Sequence, residues 1–173
     1  MQSFKTIGTG ENAYNEVVSS GKLKNKGYEL NAAYRWQGLT ARLGVADSDP
    51  KMNGTTADSV MTAIPLGRQW MTGLSYQFDN PKLEIGWRGR YAEGTEYMGT
   101  NRRTRNPELK ARPGYGVHDV YLNWQPLGKD HFNVNLAVNN VGDKFYRPHS
   151  RRVNDNALAE QGRDFRLSFN YRF

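Results

Sequence analysis

Arg163-Asp164-Phe165-Arg166-Leu167-Ser168-Phe169-Asn170-Tyr171-Arg172-Phe173 closes the chain, and its residues alternate without a break. Phe165, Leu167, Phe169, Tyr171 and Phe173 fall on one face, and Asp164, Arg166, Ser168, Asn170 and Arg172 on the other. A period of two predicts a β-strand, because successive side chains point to opposite sides of a sheet. Arginine, serine and asparagine suit a water-filled barrel interior, and the large apolar side chains suit lipid. An edge strand of a soluble β-sandwich alternates in the same way, so this segment alone leaves both readings open.

Six further segments repeat the pattern. Gly27 to Trp36 sets Tyr28, Leu30, Ala32, Tyr34 and Trp36 against Glu29, Asn31 and Arg35. Leu39 to Ala46, Trp70 to Phe78, Lys82 to Tyr91, Tyr115 to Pro126 and Phe132 to Val138 alternate likewise. Gln37-Gly38, Asp79-Asn80-Pro81 and Leu127 to His131 are short turns. Between them come long polar connections: 47–65, an arginine-rich stretch over 93–113, and 142–162. Ser3 to Ile7 reads as the end of one more strand, with residues 8–21 as its connection. Short and long connections therefore alternate, as in barrels with short periplasmic turns and long external loops.

The aromatic residues form two groups. Trp36, Phe78, Trp124, Phe132, Tyr171 and Phe173 abut the short turns or the C-terminus, and Tyr28, Trp70, Tyr91 and Phe165 lie near the long connections. Amphipathic rings collect at the two lipid headgroup levels. The expected fold is all-β: a transmembrane antiparallel β-barrel with about seven to eight strands in this chain.

Composition sets outer limits. The chain has 173 residues, which is one domain in length, and a mean hydropathy of −0.82. No stretch approaches the roughly 18 apolar residues of a membrane helix. That leaves a barrel open, since lumen residues dilute hydropathy. Cysteine is absent, so disulfides, thiol catalysis and zinc ribbons are excluded. The net charge is +7. Its arginines cluster in connections (Arg102, Arg103, Arg105; Arg147, Arg151, Arg152), without the stacking aromatics of a nucleic-acid surface. No nucleic-acid partner is expected. No nucleophile elbow, phosphate loop or carboxylate pair stands out, so no enzyme and no resident cofactor are expected.

Asn139-Asn140-Val141-Gly142-Asp143-Lys144-Phe145-Tyr146 resembles the penultimate-strand motif of TonB-dependent outer-membrane receptors. Gly162-Arg163 opening a strand that ends Tyr171-Arg172-Phe173 is similar to that family's C-terminus, and Gly27-Tyr28-Glu29-Leu30 to its recurrent strand start. Pro113-Gly114-Tyr115-Gly116-Val117-His118-Asp119-Val120-Tyr121 is similar to the haem and haemoglobin receptor branch. The resemblance covers essentially residues 20–173. It implies a 22-stranded barrel filled by an N-terminal plug. Such a receptor sits in the bacterial outer membrane and imports haem or another iron complex, siderophores included, with energy from TonB. Residues 1–173 are then expected to be the C-terminal barrel segment, a transmembrane antiparallel β-barrel fragment of about seven to eight strands that is a curved open sheet when alone, with the plug and earlier strands upstream. Met-Gln-Ser-Phe-Lys-Thr-Ile lacks a signal-peptide pattern, which fits that expectation.

The resemblance also implies partners: outer-membrane lipid and lipopolysaccharide, the plug and remaining strands, TonB through the N-terminal region, and the barrel-assembly machinery. Phe173 and Tyr171 are the expected assembly signal. Among ligand-contact candidates, His149 in Tyr146-Arg147-Pro148-His149-Ser150 could ligate haem iron, with Arg147 near the propionates. An exposed loop histidine is the plainer alternative. Arg102, Arg103, Arg105 and Arg112 could meet an anionic ligand or lipopolysaccharide phosphates. His118 reads as an interfacial side chain and His131 as an inert turn residue. The alternatives to the receptor are a self-contained small outer-membrane barrel and a basic soluble β-protein; an upstream plug-domain reading frame separates them.

Deleting Phe173 in the intact receptor is expected to lower surface abundance much more than ligand binding per assembled molecule. His149→Ala should show the opposite pattern if the ring contacts haem. Receptor abundance and haem binding, measured together, check both; normal abundance without Phe173 removes the assembly role.

Overall fold

The computed structural model describes residues 2–7, 14–19, 22–52, 66–101, 103–104, 106–126, 131–150 and 159–172. Eleven strands are found among them: β1 (Gln2–Ile7), β2 (Tyr14–Ser19), β3 (Leu23–Trp36), β4 (Leu39–Met52), β5 (Gln69–Phe78), β6 (Lys82–Ala92), β7 (Thr95–Thr100), β8 (Pro107–Arg112), β9 (Tyr115–Gln125), β10 (Phe132–Asn139) and β11 (Asp164–Tyr171). Seven of them form one antiparallel sheet, in the order β11-β10-β9-β6-β5-β4-β3. This is a meander of sequential neighbours, interrupted where the β7–β8 hairpin is inserted between β6 and β9.

The register makes the alternation a property of the whole sheet. Leu30 lies opposite Val45, and Val45 opposite Trp70, which in turn faces Tyr91. Nearer the short turns, Tyr76 faces Ile85, Ile85 faces Leu122, Leu122 faces Leu136, and Leu136 faces Leu167. Each row keeps the same side, so seven apolar stripes merge into one continuous apolar face. That face is uncovered: Leu30 is 64% exposed, Phe165 70% and Phe169 61%. The buried residues are a different set. Ser75, Asp119, Asn140 and His149 are buried, and the buried hydrophobic residues among those described are Ala92, Tyr97 and Val117. A sheet that buries polar groups and bares its large apolar side chains suits lipid on the bare side, not water.

Several strands run past the limits read from the sequence. β3 begins at Leu23 and β4 continues to Met52, so Pro50 and the polar residues 47–49 still pair, opposite Asn25 to Tyr28. Hydrogen bonding sustains the ladder where the apolar pattern has ended. The arginine-rich connection is also partly strand, with Thr95 opposite Arg112 and Thr100 opposite Pro107. Ser3 to Ile7 does not extend the main sheet; β1 pairs with β2, Ile7 facing Tyr14, in a hairpin of its own. The expected eighth barrel strand is therefore a two-stranded ribbon, because residues 14–19 supply a nearer partner.

The polar face has its own packing. Tyr121 lies across Gly86: a Cβ added there would overlap the Tyr121 ring carbons. The Tyr121 hydroxyl donates to Glu84 Oε1 at 2.9 Å, and the Asn123 amide to Glu84 Oε2 at 3.1 Å. The Arg88 guanidinium carbon stands 5.1 Å from the Tyr121 ring centre. Gly73, on the same face, has only ordinary contacts where its Cβ would go.

Gly86→Ala should therefore destabilise the assembled barrel by about 1–3 kcal/mol through overpacking, and Gly73→Ala should leave it nearly unchanged. Heat-dependent migration of the folded barrel on a gel compares the two; equal behaviour would remove the role given to Tyr121.

Candidate functional site

The polar face and the last long connection enclose a recess of about 810 Å³. Its floor comes from β4, β5, β6 and β9 through Arg42, Met71, Arg88, Arg90, Asp119 and Tyr121. Asn140, Tyr146 and Glu160 rim it, with Asp164 and Arg166 at the far side. It lies toward the ends of the strands that carry the long connections.

Asn140 folds that rim inward. The chain leaves β10 with Asn140 at φ 50° and Asp143 at φ 51°. Asparagine and aspartate tolerate this left-handed region better than most residues. The backbone N–H of Asn140 donates to Asp119 Oδ1 at 2.9 Å, and that of Val141 to the His118 carbonyl at 2.8 Å. Asn140 Oδ1 accepts the Lys144 N–H at 2.8 Å, while its amide donates to the carbonyls of Lys144 and Gln161. Asp143 Oδ1 accepts the Arg163 N–H at 2.8 Å. These side chains answer backbone groups that the sheet no longer pairs. The same Asp119 holds Arg90 at 3.3 Å through its other oxygen. Arg90 also donates to the Tyr146 hydroxyl; burial pushes that phenol above its ordinary value, with Arg90 pulling the other way.

His149 is 1% exposed and joins three connections. Nδ1 lies 2.7 Å from the Leu66 carbonyl oxygen and Nε2 3.0 Å from that of Pro113. A neutral imidazole has one N–H and serves one of these acceptors; the protonated ring serves both. The His149 carbonyl accepts from Arg112 Nη1 at 2.6 Å. Arg112 also lies over the buried Tyr97 ring, its guanidinium carbon 5.2 Å from the centroid. Tyr115 meets the His149 ring edge-on at 5.4 Å and packs on Tyr146 at 4.6 Å. The clasp thus ties the β7–β8 hairpin, the lead into β5 and the last connection together.

The other sequence candidates are spread out. Arg147 is exposed, its guanidinium carbon 5.3 Å from the Phe145 ring centre. Arg103 is exposed at the hairpin tip, where its N–H and that of Thr104 both donate to Asn101 Oδ1. Arg102, Arg105 and Phe173 lie outside the described residues, as do Arg151 and Arg152. Tyr171 is exposed on the apolar face opposite Phe132. His118 faces outward, stacked on Trp87 at 5.7 Å and edge-on to Tyr91 at 5.5 Å. His131 Nδ1 lies 3.2 Å from the Arg172 carbonyl oxygen. Sequence reasoning singled out His149 but not its partners, and it missed Asn140 as an organiser. The pair Asn140 and Asp143, just past an alternating strand, is the signal that was present.

A sequence model of the TonB dependent receptor-like β-barrel matches residues 2–141, and the chain belongs to that family. The TonB-dependent heme receptor A of Haemophilus ducreyi is 25% identical over 191 residues, covering 98% of this chain and 25% of the relative. That of Haemophilus influenzae is 23% identical over 156 residues, 86% of this chain and 20% of the relative. Among solved structures, the FrpB iron transporter from Neisseria meningitidis (F3-3 variant) superposes with a TM-score of 0.82 and 46% identity, over 92% of this chain and 25% of that one. The pyoverdine receptor FpvA of Pseudomonas aeruginosa shares the fold at a TM-score of 0.70 and 18% identity, over 99% of this chain and 25% of that one. The chain spans about a quarter of the length of these relatives.

His149→Ala would remove the ring that bridges the Leu66 and Pro113 carbonyls, at about 1–3 kcal/mol for the carbonyl left without its N–H. The outer connections of the intact protein should then be cut faster by added protease, with the barrel still folded. An unchanged cleavage rate would show that the clasp does not hold them.

Proposed function

We propose that the chain is the C-terminal barrel segment of an outer-membrane receptor that imports haem or another ferric complex. The plug, the remaining strands and the TonB-contacting region belong to the rest of the protein. The chain works as part of a transporter and performs no chemistry on its cargo. One observation supports this reading above the others: an unbroken register gives seven strands, six of them within the family-matched residues, a bare apolar face and a polar recess behind it. Lipid contacts the first, and the plug and passing cargo the second.

Haem is favoured as cargo by the curated relatives, and a ferric complex more broadly by the similarity to FrpB. Arg42, Arg88, Arg90 and Arg166 stand against Asp119, Glu160 and Asp164 in the recess lining, a narrow cationic excess that suits a carboxylate on a ferric ligand or haem. Exposed Arg147 and Arg103 offer outer contacts, with Arg102 and Arg105 beside them in sequence. His149 acts on cargo through the loops it holds. Outer-leaflet lipopolysaccharide surrounds the outer rim, and the assembly machinery reads the strand ending at Tyr171 and Phe173.

A strain lacking the intact receptor should fail to grow with haem as its iron source, and the full-length gene should restore growth. A receptor with Arg88 changed to glutamine should assemble yet transport about tenfold less, the loss of one charge-assisted contact. Normal growth on haem with loss of growth on a ferric siderophore would change the cargo. Normal growth on both would end the reading.

A further inference from the structure

The outward face of β3 and β4 does not end at the aromatic belt. Register is one-to-one from Trp36 opposite Leu39 to Leu23 opposite Met52, so no bulge changes sides. Lys26 and Lys24 therefore share the face of Tyr28, Leu30 and Trp36, and Lys51 the face of Val45, Leu43 and Leu39. At about 3.4 Å per residue, Trp36 to Tyr28 spans roughly 27 Å along the strand, and Lys26 and Lys24 lie roughly 7 and 14 Å further out. A tilted strand crosses the hydrocarbon over the first distance and reaches phosphate level over the second.

The charges on this patch do not cancel. Lys24 stands directly opposite Lys51, an arrangement that like charges disfavour across a strand pair. Asp49 lies opposite Lys26 and also takes Lys51 at 2.7 Å, so one carboxylate answers three ammonium groups. The neighbouring outward carboxylates share one cation, so with Arg68 this end holds four cations to three carboxylates. Asp47 and Glu93 each lie 3.6 Å from Arg68, and Glu93 accepts from the Trp70 indole. The opposite end of the sheet differs. There the outward face is Trp36, Leu39, Phe78, Leu83, Trp124 and Phe132, and no lysine or arginine of the described residues lies among them. Among the described residues, excess cation stands at one end of the outward face only.

We propose that Lys24, Lys26 and Lys51 form a binding site for the phosphorylated headgroup of an outer-leaflet lipid, with Tyr28 and Leu30 against its acyl chains. The phosphate supplies a counter-charge for Lys24, which stands opposite Lys51 while Asp49 holds Lys51. Lysine suits the task, being a mobile point charge that follows a phosphate without needing fixed geometry. This deepens the membrane-receptor reading and rests on it. It also moves the principal lipid contact from the arginine-rich connection to a strand face in register with the bilayer.

The test uses the full-length receptor purified from outer membranes, loaded with bis-phosphorylated or dephosphorylated lipid A, with bound lipid counted by native mass spectrometry. The native receptor should retain the phosphorylated form preferentially and lose that preference at high salt. K24E/K26E/K51E should reduce its retention by roughly tenfold to a hundredfold, and Lys82→Glu on the polar face should not. Where the triple variant fails to assemble, K24Q/K51Q, which removes the opposed pair, should still lower retention severalfold. Equal retention of both lipids, or no effect of either variant, overturns the site. Capture of an acidic polypeptide in place of lipid overturns it as well. A receptor that never inserts in the outer membrane defeats the membrane reading itself; one that inserts but ignores the phosphates defeats only this site.

Discussion

In hydrocarbon no water is available to pair a free amide, so a membrane-crossing sheet must satisfy its backbone from strand to strand. That constraint fixes register, and register fixes everything else. A slip of one residue would turn Arg42, Arg88, Arg90 and Arg166 outward and Leu43, Trp87, Tyr91 and Leu167 inward. One such arginine near the bilayer midplane costs about 2–4 kcal/mol. A slip moves several at once, so the alternative registers are far removed in energy. The rows that run from Leu30 to Trp70 and from Tyr76 to Leu167 are the visible result. β3 and β11 stand at the two ends of the sheet, where the same requirement calls for a further strand.

The polar face obeys a second rule, that buried charge and buried hydrogen-bonding groups must find each other. Glu84 takes Tyr121 and Asn123, Arg90 takes Asp119, and Arg166 takes Asp164. Asp119 has the widest reach, because its second oxygen holds the backbone of Asn140. A strand residue thereby sets where the last connection begins. The connection in turn brings Tyr146 over the recess and His149 between Leu66 and Pro113. The rim of the recess is thus positioned from the sheet outward.

The strands were legible because lipid and water sort side chains with a period of two over long runs. Phe165 to Tyr171 and Tyr28 to Trp36 needed no partner to be read. The tight turn at Gln37-Gly38 was legible too, since both residues adopt positive φ and glycine does so freely. The connections were not. Their structure comes from single contacts between distant residues, such as His149 with a carbonyl 83 positions away. No local pattern announces that pairing, and a histidine beside Arg147 and Pro148 looks the same exposed or buried. Thr95 to Arg112 hid its hairpin for a related reason. Outside the membrane nothing enforces apolar alternation, and Arg112 is spent on Tyr97 and His149 rather than on solvent.

The net charge of +7 is best understood by where the structure puts it. Arginines on the polar face are balanced or stacked: Arg90 on Asp119, Arg166 on Asp164, Arg88 over Tyr121. Arg68, at the outer belt, is shared by Asp47 and Glu93, with Glu93 first in holding it charged. The lysines beyond Tyr28 differ in having one carboxylate among three. Self-repulsion of that kind persists in a fold where an external anion is always at hand. A bilayer leaflet dense in phosphate is such a surrounding, and it lies at one end of the strands only. The same asymmetry orients the sheet. The short turns and their aromatic belt face the side without that charge, and the long connections, the clasp and the recess face the side with it.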